Sequence, residues 1–272
     1  GATDKGGVCR LALTDLDRQG RELFVRWTRE AGCTIRVDAI GNLIALKKAR
    51  KPAPGGSPLR VMVAAHMDEV GFMVIGVEND GWLRFAPVGG VAPGVVAAKQ
   101  VVVGKERLPG VIGLKPIHLQ DRNEQKQVIP FDRLAIDVGA SSKDELEGKV
   151  QVGDYATFAM RFRELDASPD GLRTVMGKAL DDRAGCVLLV ELLKGDYAFD
   201  LYAAFTVQEE LGLRGARVAA YAIRPQAAFV LETTICDDLP KEKDLPDVTR
   251  LGAGPAITIM DRSVVADKRL VN

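Results

Sequence analysis

The sequence predicts an α/β protein, a layered mixed sheet with helices, interrupted by a small all-β barrel. A continuous apolar run, VMVAA at 61–65, marks a strand buried on both faces. From about 72 to 162, short valine-rich pieces (KQVVVG, PGVIGL, LAIDVG, VGDYATF) are separated by glycines and prolines, as in a compact barrel. From 183 onward, helix-like and strand-like segments alternate again. The α/β domain is therefore expected at 1–71 and 163–272, with the barrel inserted at 72–162.

In chain order, Thr14 followed by Asp17 reads as a helix N-cap. Leu16, Leu23, Phe24 and Trp27 recur at helical spacing, and Gly32 stands where a C-terminal cap belongs. Strands are expected at 34–38 and 43–46, joined through Gly41-Asn42, and the Pro/Gly-rich stretch 49–58 is a connector. The one helical hint inside the barrel segment is a capping box from Ser142 to Glu145. Beyond it come a helix at 183–193, a strand at 200–207, a helix at 214–221, and strands at 227–231 and 256–260.

A chain of 272 residues, 47% hydrophobic, can bury a sizeable core. Lys+Arg and Asp+Glu both number 37, so the basic excess that marks nucleic-acid or anionic-membrane partners is missing. No apolar run approaches the ~18 residues of a membrane span, and the N-terminus lacks a signal-peptide pattern. Cys9, Cys33, Cys186 and Cys236 lie far apart, without zinc-finger or redox spacing, which suits reduced thiols and a cytoplasmic location. The chain opens at Gly1 without a methionine and stops at Asn272 soon after the last expected strand, so it is expected to be C-terminally incomplete.

Chemistry-bearing residues fall at equivalent places in this architecture. His66 and Asp68 follow the strand at 61–65, Glu209 and Glu210 follow that at 200–207, and Glu232 follows that at 227–231. Asp181 and Asp182 lie in the turn that opens the helix at 183. Singly, each has an ordinary explanation: a solvated N-cap, surface charge, a structural histidine. Together they meet at the carboxyl edge of an open sheet, where ligands bind, in a protein with only two histidines. Carboxylates this close disfavour joint ionisation unless cations neutralise them. Mixed oxygen and imidazole donors suit Zn, Co or Mn. A metal pair ~3.5–4 Å apart is the common hydrolytic arrangement. Asp181 is the candidate bridge, and of Glu209 and Glu210 one would bind metal while the other serves as general base.

At these residues the chain resembles metallopeptidase family 42, the tetrahedral aminopeptidases, which include glutamyl and lysyl aminopeptidases and some members labelled endoglucanase. The matching strings are AAHMDEVGFMV (64–74), GVIGLKPIHL (110–119), GKALDDRAGC (177–186), VQEELGLRGA (207–216) and LGAGPAITIMDRS (251–263). The resemblance implies two divalent metal ions per chain and hydrolysis of N-terminal residues from peptides. It implies that His66 binds one metal, oriented by Asp68, and that Asp181 bridges both metals through a cis Asp181–Asp182 peptide. It makes Glu209 the general base, Glu210 a ligand of the second metal, and Glu232 a ligand of the first, where many members carry Asp. It also implies that the barrel mediates self-association into dimers or larger shells. A final histidine that the family supplies to the second metal lies beyond this sequence, and His118 belongs to the KPIHL string instead.

Residues 1–42 look more like the start of N-carbamoyl-L-amino-acid hydrolases and allantoate amidohydrolases. Two alternatives therefore stand beside the aminopeptidase: an N-carbamoyl-amino-acid amidohydrolase, and an impaired oligomer lacking the last metal ligand. A glycosidase is disfavoured, since that chemistry uses paired carboxylates without metal.

Overall fold

The computed structural model describes residues 15–50, 57–165, 171, 173–238 and 248–271. The expected cap at Thr14, Cys9 and most of the 49–58 connector lie outside the described residues.

Helix α1 (Asp15–Glu30) turns Phe24 inward, where it stacks on Phe205 at 4.9 Å, with Trp27 edge-on at 5.7 Å. The helix ends as expected at Gly32, whose φ of +76° a side chain would resist. The Gly32 N–H donates to the Arg29 carbonyl and that of Cys33 to the Thr28 carbonyl, closing the orphan acceptors of the last turn. Strands β1 (Thr34–Val37), β2 (Leu43–Lys47) and β3 (Arg60–His66) follow.

The inserted segment closes into a six-stranded barrel of β4 (Gly71–Val77), β5 (Leu83–Val88), β6 (Gln100–Val103), β7 (Leu108–Gly113), β8 (Ala135–Asp137) and β9 (Tyr155–Phe158), in the order β4-β5-β8-β7-β6-β9. Period-two alternation sends Phe72, Val74, Leu83, Phe85, Val101 and Val103 inward to a core of its own. Closure leaves no unpaired strand edge. The expected capping box does not form. The turn Asp144–Leu146 is a short 3-10 segment with Lys143 at its N-cap, a residue without a hydroxyl, and Glu145 accepts from the Ser141 N–H instead.

The chain returns through the hairpin β10 (Arg163–Leu165) and β11 (Thr174–Met176), then α2 (Leu180–Leu192), β12 (Asp200–Thr206), α3 (Arg214–Ile223), β13 (Ala227–Val230) and a last turn α4 (Lys268–Val271). The main sheet runs β1-β2-β12-β3-β13, with β12 and β13 parallel to β3 and β2 antiparallel to β12. Val63, Ala65, Ala203 and Phe205 face Phe24, Leu189 of α2 and Leu193 at its C-cap. Met62, Ala64 and Ala204 face Ala219 and Ile223 of α3 on the other side. The apolar run at 61–65 is therefore a central strand covered on both faces.

The expected strand at 256–260 is not present. Met260 makes one bridge to Val265, while Ile257 and Ile259 are exposed. The β-branched composition favours extended backbone, but among the described residues no neighbouring strand takes its hydrogen bonds, and strand propensity depends on that context.

Candidate metal centre

Strand register assembles the site. Thr206 pairs with His66, so β12 and β3 end level, and the turn after β12 lifts Glu209 and Glu210 over that edge. On the other side of β3, Val230 pairs with Ala64, which sets Glu232 level with His66. Asp181 enters at the start of α2, where Asp181 and Asp182 have non-helical dihedrals and share a cis peptide bond. The buried His66 Nε2 lies 2.8 Å from Asp181 Oδ1, 3.6 Å from Glu232 Oε1 and 3.8 Å from Glu209 Oε2. His66, Asp181 and Glu232 each offer a ligand atom, all within 4.8 Å of one another, and His66, Glu209 and Glu210 do the same.

Asp68 sits beneath this group with a divided role. His66 Nδ1 is 3.1 Å from the Asp68 main-chain carbonyl and 3.7 Å from its carboxylate. That carboxylate accepts the N–H groups of Glu209 at 3.0 Å and Glu210 at 3.3 Å. His118 is exposed, on the barrel turn Ile117–Leu119.

Sequence reasoning named Asp182 only as the neighbour of Asp181 in the helix-opening turn, and it missed the other supporting residues. The buried Asp182 carboxylate accepts the His66 N–H and the Gly185 N–H, both at 3.1 Å, and so ties β3 to the first turn of α2. Glu69 pairs with Lys178 at 2.9 Å and approaches Arg183 at 3.8 Å, joining the turn after His66 to both flanks of the Asp pair. Asn42 bonds to Val207 and Gly215 at the two ends of the Glu209–Glu210 turn. Adjacency to Asp68 could have flagged Glu69. Nothing local flags Asn42, because these two partners are 165 and 173 residues away.

The electrostatics are those of too many acids around one imidazole. Burial by itself would lower the His66 pKa, but hydrogen bonds to Asp181, Asp68 and Glu232 override it and hold the ring protonated well above its usual range. Asp181 is correspondingly lowered, chiefly by its hydrogen bond to His66. Asp182 is pushed up to about 7, by burial and then by the charge on Glu232. Glu210 is likewise pushed up to about 7, by burial and then by Asp181. Burial also raises Glu209, with Glu232, Asp68 and Asp181 adding to it and His66 opposing. Protons are standing in for positive charge here. A divalent cation would relieve the crowding, and the oxygen and imidazole donors fit one.

Comparison with known proteins agrees with this chemistry. Residues 41–272 match the profile of the M42 glutamyl aminopeptidase family. The chain belongs to the M42 peptidase family. It is a metallopeptidase by membership, and the expected resemblance, the α/β sheet and the barrel are all borne out. This M42 peptidase is 35% identical over 249 residues to the lysyl aminopeptidase of Pyrococcus furiosus, which is 88% of this chain and 67% of that protein. The TET aminopeptidase of Thaumarchaeota archaeon SCGC AB-539-E09 superposes with a TM-score of 0.82 at 31% identity, over 97% of this chain and 73% of that one. The TET1 peptidase of Pyrococcus horikoshii, which can assemble into a tetrahedron or a large octahedral shell, gives 0.76 at 34% identity, over 97% and 76%. A shorter stretch of 95 residues is 39% identical to the N-carbamoyl-L-amino-acid amidohydrolase of a Pseudomonas species, 35% of this chain and 20% of that enzyme.

Proposed function

We propose that this M42 peptidase is an aminopeptidase that uses two divalent cations to release N-terminal residues from peptides. His66, Asp181 and Glu232 would hold one cation, and Asp181 with Glu210 would contribute to the second. The observation that carries this reading is the convergence of His66, Asp181 and Glu232 from three separate elements to within 4.8 Å. The donor chemistry suits zinc, with cobalt or manganese as substitutes. Bound there, the cations supply Lewis-acid polarisation of the scissile carbonyl and activation of water.

Glu209 is the proton carrier. Its carboxylate takes a proton from the attacking water and delivers it to the leaving amine nitrogen. Burial raises its pKa towards neutrality, which suits a group that must both accept and release a proton. Asp68 fixes the main chain beneath it. The surrounding carboxylates favour a cationic substrate amine, and hence cleavage beside a free amino terminus.

Self-association through the barrel fits the assembling TET1 relative, and the barrel exposes Ile117, Leu119 and Val128. A cytoplasmic setting fits the reduced thiols of Cys33 and Cys236. Among the described residues no helix is long and apolar enough to cross a membrane.

The deciding test is hydrolysis of chromogenic aminoacyl amides by the wild-type chain and by Glu209→Gln, with metals counted by elemental analysis. Wild-type turnover with about two metals per chain, and a Glu209→Gln variant that keeps metal but loses turnover, is the expected result. Full activity in the variant would refute the role of Glu209. The 95-residue amidohydrolase match keeps a second reading in play. Release of ammonia and carbon dioxide from N-carbamoyl amino acids, without action on peptides, would favour it.

A further inference from the structure

The turn that carries Glu209 and Glu210 spans Val207 to Gly215, between the end of β12 and the first turn of α3. Asn42, which is fully buried, grips both ends of it. Its Oδ1 accepts the Val207 N–H at 3.0 Å, and its Nδ2 donates to the Gly215 carbonyl at 2.9 Å. Nδ2 also donates to Asp38 Oδ2 at 2.7 Å, while the Asp38 Oδ1 accepts the Asn42 N–H at 2.9 Å. The amide is thereby held from its own hairpin. Gly215 N–H closes the base of the turn on the Val207 carbonyl at 3.0 Å, and a Cβ at Gly215 would collide with that carbonyl and with Asn42 Oδ1. Opposite this grip, the Asp68 carboxylate accepts the Glu209 and Glu210 N–H groups.

We infer that Asn42 is a positioning residue for the peptidase reaction: it clamps both ends of the Val207–Gly215 turn and so sets where Glu209 and Glu210 stand over His66. An amide suits this role because it carries an acceptor and a donor on separate atoms, while one end of the turn presents a donor and the other an acceptor. The inference rests on the roles proposed for Glu209 and Glu210.

The test compares Asn42→Ala and Asn42→Asp with a core control, Phe24→Leu, matched for loss of Tm. Asn42→Asp keeps the shape of the side chain and removes its donor to Gly215. Both Asn42 variants should lose about a hundredfold in kcat with little change in KM, since a displacement of about 1 Å at catalytic groups has that effect. Metal counting should show the His66–Asp181–Glu232 position still filled and the Glu210 position depleted. The Phe24→Leu control should keep both kcat and metal. Asn42 variants that retain kcat and full metal content, or that lose no more than the control, overturn the inference. If the wild-type chain shows no peptidase turnover, the functional reading fails separately, and the metal content of the Asn42 variants still decides the clamp.

Discussion

Glu232 stands beside His66 across the β3–β13 pair, its Oε1 3.6 Å from the imidazole Nε2, because Val230 and Ala64 share a register position two residues earlier. A one-residue slip would send Glu232 to the other face of the sheet. The pairing of β13 with β3 thus sets the distance between these two side chains.

Glu232→Asp should keep the metal, since a shorter carboxylate on the same strand can follow a cation inward. Glu232→Ala should lose it on dialysis, leaving His66 and Asp181 with too few donors for a closed site. Elemental analysis of the two dialysed variants checks this; equal metal retention in both would remove Glu232 from the ligand set.

Most of the frame was legible in the sequence, for physical reasons. The run 61–65 reads as a strand covered on both faces, and His66, Glu209, Glu210 and Glu232 could be grouped because strands deliver their ends to one edge, with Asp181 joining them from the opening of a helix. What could not be read was hydrogen bonding at long range. Asn42 looks like turn chemistry in Gly41-Asn42, and its partners at Val207 and Gly215 exist only once the sheet has formed. The segment AITIM at 256–260 misled in the opposite direction, since its residues prefer extended backbone but a strand also needs a neighbour.

Removal of metal should make stability fall as pH rises. Asp182 and Glu210 are pushed up to about 7 in the folded chain, above their ordinary values of 3.8 and 4.5. Between those values and about 7 the folded state binds more protons than the unfolded one, so the stability of chelated protein declines with increasing pH across that window. Divalent cations take over from the protons, so the gain in Tm on adding zinc should be larger at pH 8 than at pH 5.5. A gain that is flat or reversed across this range, measured by thermal unfolding with and without chelator, would contradict the crowded-acid account.

Asp68→Asn should lower metal affinity about 10- to 100-fold, the usual penalty for disturbing a partner of a ligand. The change leaves the main-chain carbonyl facing His66 and weakens the acceptor for the Glu209 and Glu210 N–H groups. The loss should therefore fall on the metal served by Glu210 more than on that served by Glu232. Chelator competition that resolves two binding steps checks this, and an equal loss at both steps would count against the divided role of Asp68.

Glu69 and Lys178 form an ion pair 2.9 Å apart with side chains only 3% and 7% exposed, and Arg183 lies 3.8 Å from the same carboxylate. Two cations and one anion share a nearly dry space between the turn after His66 and the Asp181–Asp182 turn. Removing one member strands a buried charge, which costs about 3–5 kcal/mol, whereas replacing both partners of such a pair by neutral groups of similar volume is often close to neutral. Lys178→Met should therefore destabilise strongly, because it removes the nearer of the two cations that face the Glu69 carboxylate. Glu69→Gln should destabilise too, since it removes the carboxylate that faces both Lys178 and Arg183. In the double variant Arg183 alone stays charged, and it is the most exposed of the three at 20%. Urea unfolding should accordingly find the double variant more stable than the sum of the single losses requires. Strict additivity would mean that the pair is not coupled, and that the two turns are held together by Asp182 and its bonds to His66 and Gly185.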